Sequence, residues 1–405
     1  MALRILLGLA AVLGLTAVFL ALLVVTDGAG RGLPAWLVTL GLGILLWRRR
    51  LLPVVIAAAL TATVLIPTAP TERRYPAELS FVATQHWDLP TGSRVAVYHY
   101  PASGVRRPVP LVYLNGGPVR SMAVLDHRFL QLLAGQGYDV YAYEQAGGGR
   151  SELLPMDRYS ISRSVRDLAA VAGRVSRGKV DVLGFSAGAV VLTQALADPQ
   201  AAAHFRRAII AEPGPMDGPT AHLAGHPGSP SARGLVPAPT GSRSTHLPRY
   251  AVAFGLMRLG LLSPGTGLLG QAEGVNAFTA ADLGSDTASA YCARDAHRIP
   301  IEDTEANFSF NAAASLRIQQ TIKDSPSIAQ QLSRSTVPTM LMIAECSSQL
   351  REWATAVLAA DPAIQRTQYL PGVGHHLWNG LDNNNPRAAA TITTFLDEKP
   401  PPSTG

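Results

Sequence analysis

The stretch Gly184-Phe-Ser-Ala-Gly188 constrains the fold of this chain more than any other. It follows the short β-branched segment Lys179–Leu183, which predicts a buried strand, and it precedes residues 189–197, whose apolar positions have helical spacing. A serine between a strand and a helix occupies a tight turn, and the two flanking glycines let neighbouring backbone approach without a Cβ clash. The turn therefore presents Ser186 as a nucleophile, with the N–H groups of the helix start directed at a developing oxyanion.

The N-terminal region, 1–67, is apolar enough to predict membrane helices. It contains three apolar segments, at 3–25, 33–47 and 51–66. The first has 23 residues, which corresponds to about 34 Å of helix and suffices to cross a bilayer. A cleaved signal peptide is the alternative for this segment, but no small-residue cleavage site precedes the polar residues 26–28. We therefore expect three membrane helices.

The arginines of this region predict its orientation. Arg4 and the triplet Arg48–Arg50 fall on one side of a three-helix arrangement, and Arg31 falls on the other. Because positively charged loops remain in the cytoplasm, the triplet is expected there, and the chain after Pro67 is expected to be extracytoplasmic. Two arginines shortly after Pro67 oppose this orientation, and a region with only two spanning helices would reverse it.

Charge and composition argue against nucleic acid and metals. The formal net charge of +6 would favour an anionic membrane surface, but no compact basic cluster with interleaved aromatic residues indicates nucleic-acid binding. The histidines lack the spacing of metal ligands, and the two cysteines are far apart in sequence. We expect no metal and no cofactor.

Strands and helices alternate in the first part of the core, 68–212. Apolar positions between residues 79 and 98 predict a leading antiparallel pair. Further strands are predicted at 110–114, 138–143, 179–183 and 205–211, and helices at 121–137, 160–177 and 189–197. This alternation predicts a doubly wound, mostly parallel sheet flanked by helices. Together with the turn at Ser186, which resembles the nucleophile elbow, it predicts the α/β-hydrolase fold.

Residues 213–335 interrupt the alternation. Their first part, up to Pro248, is rich in Pro, Gly, Ser and His and is predicted to be loop. Three helices are predicted in the remainder, at 249–262, 276–297 and 309–334. An insertion at this point is expected to form a helical lid above Ser186. The second part of the core, 336–398, resumes with strands at 337–344 and 366–370 and helices at 349–360 and 386–396, before a proline-rich tail at 399–405.

Gly374-His375-His376 follows the last predicted strand. In α/β-hydrolases the histidine base comes after the nucleophile, near the C-terminal end of the chain. His375 is therefore expected to accept the Ser186 proton and later return it to the leaving group. His376 is the alternative, but the residue directly after the glycine is favoured, and a turn histidine at the surface is the non-functional interpretation.

Two more motifs resemble a known family. Asn115-Gly-Gly-Pro118 is similar to the His-Gly-Gly-Pro-Gly motif of the proline iminopeptidases, and residues 144–151, Glu-Gln-Ala-Gly-Gly-Gly-Arg-Ser, are similar to that family's Asp-Gln-Arg-Gly-x-Gly-x-Ser. The resemblance implies that the backbone N–H groups of Gly117 and Ala187 form the oxyanion hole. Three positions depart from the family pattern: Asn115 replaces His, Val119 replaces Gly, and Glu144 replaces Asp.

The triad acid is not where the superfamily usually has it. The last strand but one is usually followed by Gly-x-x-Asp, but here Ser347 occupies the Asp position, and a hydroxyl cannot stabilise an imidazolium. Glu345 lies two residues earlier, a shift of about 6–7 Å along a strand. Glu212 ends the preceding core strand, and its Glu-Pro-Gly-Pro context resembles the Asp-Pro-Ala-Gly-Pro of pancreatic-type lipases. The sequence favours Glu212 slightly over Glu345, with a purely structural role at the lid entrance as the alternative for Glu212.

Two enzymatic functions stay open, both with a small-molecule or peptide substrate. The resemblance implies an aminopeptidase, which needs a lid carboxylate to hold the substrate amine. Candidates for it are Glu273, Glu302, Asp303 and Glu305. Membrane tethering and the apolar stretch 254–269 favour instead a carboxylesterase or lipase that acts on acyl esters near the bilayer. The displaced acid alone suggests a third possibility, a non-catalytic protein of this fold.

The two cysteines offer a link between lid and core. Cys292 belongs to the predicted lid, and Cys346 lies beside the predicted site. In an oxidising compartment such a pair can form a disulfide, whereas in a reducing one both would act as small buried apolar residues.

Overall fold

A computed structural model of the chain describes residues 84–117, 119–213, 292, 295, 311–323, 332–347 and 360–398. The strands in these ranges are β1 (Thr84–Asp88), β2 (Arg94–Tyr100), β3 (Leu111–Leu114), β4 (Val140–Tyr143), β5 (Val180–Phe185), β6 (Phe205–Ala211), β7 (Thr339–Ala344) and β8 (Ile364–Leu370). The helices are α1 (Val124–Gly135), α2 (Ile161–Val175), α3 (Ala187–Leu196), α4 (Pro199–Ala202), α5 (Ala312–Lys323) and α6 (Asn384–Asp397).

The strands form one sheet in the spatial order β1-β2-β4-β3-β5-β6-β7-β8. The pairs β1–β2 and β2–β4 are antiparallel, whereas every pairing from β4 to β8 is parallel. Parallel neighbours need crossover connections, and helices on the two faces of the sheet supply them. The predicted doubly wound, mostly parallel sheet with a leading antiparallel pair is therefore confirmed.

The hydrophobic core lies on both faces of this sheet because successive side chains of a strand point to opposite sides. Val112 and Leu114 of β3 face the layer that contains α2, α3 and α5. Leu111 and Tyr113 face the layer that contains α1 and α6. The residues of β6 and β7 alternate between the same two layers. Strands buried on both faces are continuously apolar, which explains why their sequences are recognisable without periodicity.

Helix α2 shows how the sequence attaches a helix to the sheet. Its buried residues Ile161, Val165, Leu168 and Ala172 recur at intervals of three and four and form one apolar stripe. Leu168 is fully buried, which stabilises the fold by about 1.5–3 kcal/mol. At the helix start, the Ser160 hydroxyl accepts a hydrogen bond of 3.2 Å from the N–H of the third helical residue.

Some predictions differ from the structure or lie outside it. The sequence predicted only a helix end at Asp198, but Asp198 caps α4 by accepting a 2.8 Å hydrogen bond from the N–H of Gln200. The helix predicted at 309–334 is α5, at 312–323. The N-terminal region, most of the predicted lid and most of the helix predicted at 349–360 lie outside the described residues. Across the ranges that the structure describes, no helix is both long and apolar enough to cross a membrane.

Candidate active site

Ser186 lies in the turn between β5 and α3, at the carboxyl end of the sheet. Its backbone has φ 53° and ψ −115°, a conformation that costs a residue with a side chain about 1–3 kcal/mol. The Ser186 N–H donates a 2.9 Å hydrogen bond to the carbonyl of Ala211, the last residue of β6. The neighbouring strand thus stabilises a turn that would otherwise be strained.

The glycines on either side of Ser186 are required by close backbone contacts. A Cβ atom on Gly184 would lie 2.7 Å from the carbonyl oxygen of Gly188 and 2.9 Å from the Cα atom of Ala189. A Cβ atom on Gly188 would collide with the carbonyl oxygen of Leu114 at the end of β3. Side chains at these positions would therefore separate α3 from the sheet and displace the serine.

A histidine and a buried glutamate complete a hydrogen-bonded chain with Ser186. Nε2 of His375 lies 2.9 Å from Oγ of Ser186, and Nδ1 of His375 lies 3.2 Å from Oε2 of Glu212. Because an ionised carboxylate only accepts hydrogen bonds, the imidazole proton belongs on Nδ1, and Nε2 accepts from the serine hydroxyl. An imidazole held in this way can take up the serine proton while the carboxylate stabilises the resulting imidazolium.

Glu212 follows β6 directly and is fully buried. Its backbone has φ 48°, and its N–H donates a 2.9 Å hydrogen bond to the carbonyl of Met342 in β7. Its Oε1 accepts a hydrogen bond from the N–H of Ala344, the last residue of β7. Since β7 holds both the backbone and one carboxylate oxygen, the second oxygen is fixed toward His375.

The alternative residues have other neighbours. Glu345 is exposed, and its Oε2 accepts a 2.6 Å hydrogen bond from the N–H of Gly372. The ring of His376 packs edge-on against Phe185, with centroids 6.0 Å apart. Of the residues considered from the sequence, Glu212 and His375 lie in contact, at 3.2 Å.

The loop between β3 and α1 has the backbone shape expected of a glycine-rich motif. Gly117 has φ 68°, and Val119 has φ 58°, which is unusual for a β-branched residue. Val119 stands where the resembling family has glycine, and its positive φ is one that glycine adopts without steric cost. Val119 is held in this conformation because its side chain is fully buried and its carbonyl accepts a 3.0 Å hydrogen bond from the N–H of Asn311.

Asn115, which replaces the family's histidine, ties the two ends of this loop together. Its side-chain amide Nδ2 donates to the carbonyl oxygens of Arg120, at 3.3 Å, and Ser121, at 3.2 Å. Asn115 itself is buried at the end of β3. Asn115 therefore supplies a donor to the loop backbone.

Glu144, at the end of β4, joins this loop to the second motif. Its buried carboxylate accepts hydrogen bonds from the N–H groups of Met122, at 2.8 Å, and Arg150, at 2.6 Å. It also accepts one from the hydroxyl of Tyr98, at 3.1 Å. Burial raises the pKa of Glu144 above its ordinary value. The two motifs noted in the sequence are thus parts of one hydrogen-bonded unit beside Ser186.

Asn311 was not identified from the sequence, although it touches both motif loops. Its side-chain Nδ2 donates a 3.1 Å hydrogen bond to the carbonyl of Gly147, and its N–H donates to Val119. Its Oδ1 accepts from the N–H of Ala314 at the start of α5, at 3.1 Å. An asparagine before a helix is a capping signal, but nothing in the local sequence indicates which loops it contacts.

A small pocket adjoins the site. It lies beside Phe185, which precedes Ser186, and His376, which follows His375. Its lining consists of Arg120, Ala123, Leu125, Asp126, Phe185, His376 and Trp378. The one carboxylate in this lining, Asp126, accepts hydrogen bonds from the hydroxyl of Tyr113, at 2.7 Å, and from the indole of Trp378, at 3.0 Å. No three His, Cys, Asp or Glu side chains among the described residues are grouped so as to bind a metal ion.

Cys292 and Cys346 form a disulfide, with Cα atoms 5.2 Å apart. Cys346 lies two residues after β7, and its N–H donates a 3.0 Å hydrogen bond to the carbonyl of Val373. His375 comes two residues after Val373. The pairing considered from the sequence is therefore present, and it attaches a residue of the insertion beside the histidine.

A serine on a strained turn between strand and helix, at the carboxyl end of a mostly parallel eight-stranded sheet, defines the α/β-hydrolase fold, and the chain is an enzyme of that class. It belongs to the serine aminopeptidase family S33, also called Hydrolase_4, whose model matches residues 106–382. The sequence matches no curated protein.

Solved structures show the same fold at low sequence identity. A thermophilic esterase from Thermogutta terrifontis aligns with a TM-score of 0.53 and 15% identity over 77% of this chain and 97% of its own. A hydrolase from Pseudomonas aeruginosa PA01 aligns with a TM-score of 0.52 and 16% identity, over 78% and 99%. The enol-lactonase of Burkholderia xenovorans LB400 aligns with a TM-score of 0.51 and 12% identity, over 78% of this chain and 100% of its own.

Proposed function

We propose that Ser186, His375 and Glu212 are the catalytic triad of a serine hydrolase. The observation that carries the proposal is the continuous hydrogen-bonded chain from Oγ of Ser186 through both imidazole nitrogens to the buried carboxylate. Its order, serine, then imidazole, then carboxylate, is the arrangement that activates a hydroxyl for attack on a carbonyl carbon. Glu345 contacts the backbone of Gly372 instead, which supports Glu212 as the acid.

The reaction then follows from the positions of these groups. Oγ of Ser186 attacks the carbonyl carbon while Nε2 of His375 takes its proton, and the N–H groups of Gly117 and Ala187 stabilise the tetrahedral oxyanion. The imidazolium gives its proton to the leaving group, which departs and leaves an acyl-enzyme. Water, deprotonated by the same imidazole, attacks the ester carbonyl. The bond to Oγ of Ser186 then breaks, the imidazolium returns its proton to Oγ, and the carboxylic acid product is released.

For the substrate we propose the N-terminal residue of a peptide. The family match over residues 106–382 and the two motifs beside Ser186 support an aminopeptidase resembling the proline iminopeptidases. The candidate carboxylates for the substrate amine, Glu273, Glu302, Asp303 and Glu305, lie outside the described residues.

The small pocket favours a second candidate, a carboxylesterase. Its carboxylate, Asp126, already accepts hydrogen bonds from Tyr113, Trp378 and Arg120. A saturated carboxylate is a poor partner for a substrate ammonium group, and the lining residues Leu125 and Phe185 are apolar.

A substrate comparison tests both candidates. Purified protein is assayed with p-nitroanilides of proline, alanine and leucine and with p-nitrophenyl acetate, butyrate and octanoate. Turnover of the anilides with a free amine, abolished by N-acetylation, would support the aminopeptidase, and preferential turnover of the esters would support the esterase. Fluorophosphonate labelling of the wild type but not of Ser186→Ala is expected in either case, and labelling of both proteins would remove Ser186 as the nucleophile.

We further propose that the enzyme is anchored in a membrane with its catalytic part outside the cytoplasm. The three apolar segments before residue 67 and the triplet Arg48–Arg50 support this topology. The disulfide between Cys292 and Cys346 supports it independently, because such bonds persist in oxidising compartments. Protease added to intact spheroplasts should digest the chain after Pro67, and protection until lysis would reverse the topology.

A further inference from the structure

The proposed oxyanion donor Gly117 N–H belongs to a peptide group with no side chain on either side. In a trans peptide the carbonyl of Gly116 and the N–H of Gly117 point in opposite directions, and the described chain contains no cis peptide. Whatever holds the Gly116 oxygen therefore also sets the direction of the Gly117 N–H. Two glycines leave this peptide plane free to rotate, so an outside contact is needed to hold it.

Arg120 makes that contact. Its Nε donates a hydrogen bond to the carbonyl oxygen of Gly116. Its aliphatic part covers the next residue, since a Cβ atom on Gly117 would lie 2.5 Å from Cδ of Arg120. The Arg120 residue is only 6% exposed, so little water competes for the Gly116 oxygen.

The core holds the guanidinium in turn. Nη2 of Arg120 lies 3.2 Å from Oδ2 of Asp126. The other oxygen of Asp126 accepts from Tyr113 and Trp378, which are both fully buried or nearly so. A rigid chain of contacts therefore runs from two core aromatics through Asp126 and Arg120 to the Gly116 carbonyl.

We propose that Arg120 is a positioning residue for the oxyanion hole. Its Nε fixes the 116–117 peptide so that the Gly117 N–H faces the oxyanion, and its positive charge on the carbonyl oxygen makes that N–H a stronger donor. A cation on one end of an amide polarises the whole group, and the effect is large where water is excluded. Only arginine has a fork that reaches a carbonyl and a carboxylate together, so lysine should replace it poorly. This inference rests on the proposed serine-hydrolase function.

The test compares Arg120→Met with Arg207→Met. The second variant removes a similarly buried arginine near the start of β6, at the end of the sheet opposite to Ser186. Arg207 is 3% exposed and also donates to backbone carbonyls. The assay uses whichever p-nitroanilide or p-nitrophenyl ester the wild type turns over. Arg120→Met should lower kcat by about 10–100-fold, a smaller loss than removal of an oxyanion donor itself would cause. KM should change less than about threefold. Arg207→Met should leave kcat of the folded protein unchanged.

Three further readouts separate positioning from a general structural role. Phenylboronic acid, whose serine adduct places an oxygen in the oxyanion hole, should bind Arg120→Met more weakly by the same factor as kcat falls. The pH midpoint of kcat/KM should not move, because the substitution leaves the hydrogen bonds among Ser186, His375 and Glu212 in place. Arg120→Lys should recover part of kcat, and it also serves as the test variant if the methionine variant does not fold.

Several outcomes would overturn the inference. An unchanged kcat in folded Arg120→Met, or an unchanged boronate affinity, would exclude positioning of the oxyanion peptide. A rise in KM without a change in kcat would instead make Arg120 a substrate-binding residue of the small pocket. The proposed function fails separately, if Ser186→Ala keeps its activity.

Discussion

The carboxyl edge of the sheet, where the parallel strands end, and the amino edge, where they begin, both bury charged side chains. The two edges hold these side chains with different partners. At the carboxyl edge, Glu212 is held by a backbone N–H of β7 and by the imidazole of His375. At the amino edge, Asp181 is held by two guanidinium contacts of Arg206, at 2.9 and 2.5 Å. Arg207, next along β6, donates to carbonyl oxygens at and beyond the end of α6.

The two edges differ in whether the partner of a buried charge can also reach a reactive group. The amino edge pairs its carboxylate with a guanidinium and its second arginine with backbone carbonyls, and so its contacts join β5, β6 and α6. The carboxyl edge directs one carboxylate oxygen at an imidazole whose other nitrogen meets a hydroxyl. We therefore expect variants at the carboxyl edge to lower kcat and variants at the amino edge to lower stability.

The largest effect is expected at the imidazole. His375→Ala should lower kcat by about 10⁶-fold, because the serine loses the base that contacts it and the leaving group loses its acid. His376→Ala, the adjacent control, should lower kcat by no more than about tenfold. Both are measured by steady-state kinetics on protein whose folding is verified by circular dichroism. Equal losses in the two variants would leave the base unassigned.

The acid is the next test of the carboxyl edge. Glu212→Gln should lower kcat by about 10⁴-fold, because an amide keeps the shape but cannot stabilise the imidazolium. Glu345→Gln is the matched control, and its kcat should remain within about threefold of wild type. If Glu345→Gln is inactive and Glu212→Gln is not, the acid follows β7 and the contact between Glu212 and His375 is structural.

Arg207→Met tests the amino edge. Removal of the guanidinium leaves the carbonyl of Phe395 buried without its donor, so the free energy of unfolding should fall by about 1–3 kcal/mol. Urea denaturation followed by fluorescence measures this loss. Activity per folded molecule should not change, and a large fall in kcat would show that the two edges are coupled.

The smallest effect is expected from the titration of Asp181. Burial raises the pKa of Asp181 to about 6, despite its contacts with Arg206. A carboxyl with a raised folded-state pKa contributes stability that is present below its unfolded pKa, near 4, and is lost as the pH rises through about 6. The Tm of the wild type relative to Asp181→Asn should therefore fall between pH 4 and pH 7. Parallel Tm curves for the two proteins would show that Asp181 does not titrate in this range.

Local sequence patterns were enough to predict the order and type of most core elements and the turn that carries Ser186. These features depend on local patterns: apolar strands such as β3 and β7, the stripe of α2, and glycines at 184 and 188, where a Cβ atom would collide with neighbouring backbone. Such patterns extend over a few residues and need no knowledge of distant partners. His375 was likewise selected by chain order and its preceding glycine.

The contacts between side chains of the site could be read only from the folded chain. The choice between Glu212 and Glu345 depends on the direction of each side chain at a strand end, and spacing along the chain measures only the distance between Cα atoms. No local signal shows which groups Arg120 and Asn311 hold. Asn311 reaches Gly147, at a sequence separation of 164, and Arg120 reaches Gly116 within a loop that its contact with Asp126 ties to the core. Contacts between residues far apart in sequence are a property of the folded sheet, and so the partners in the site appear only once the strands are in register.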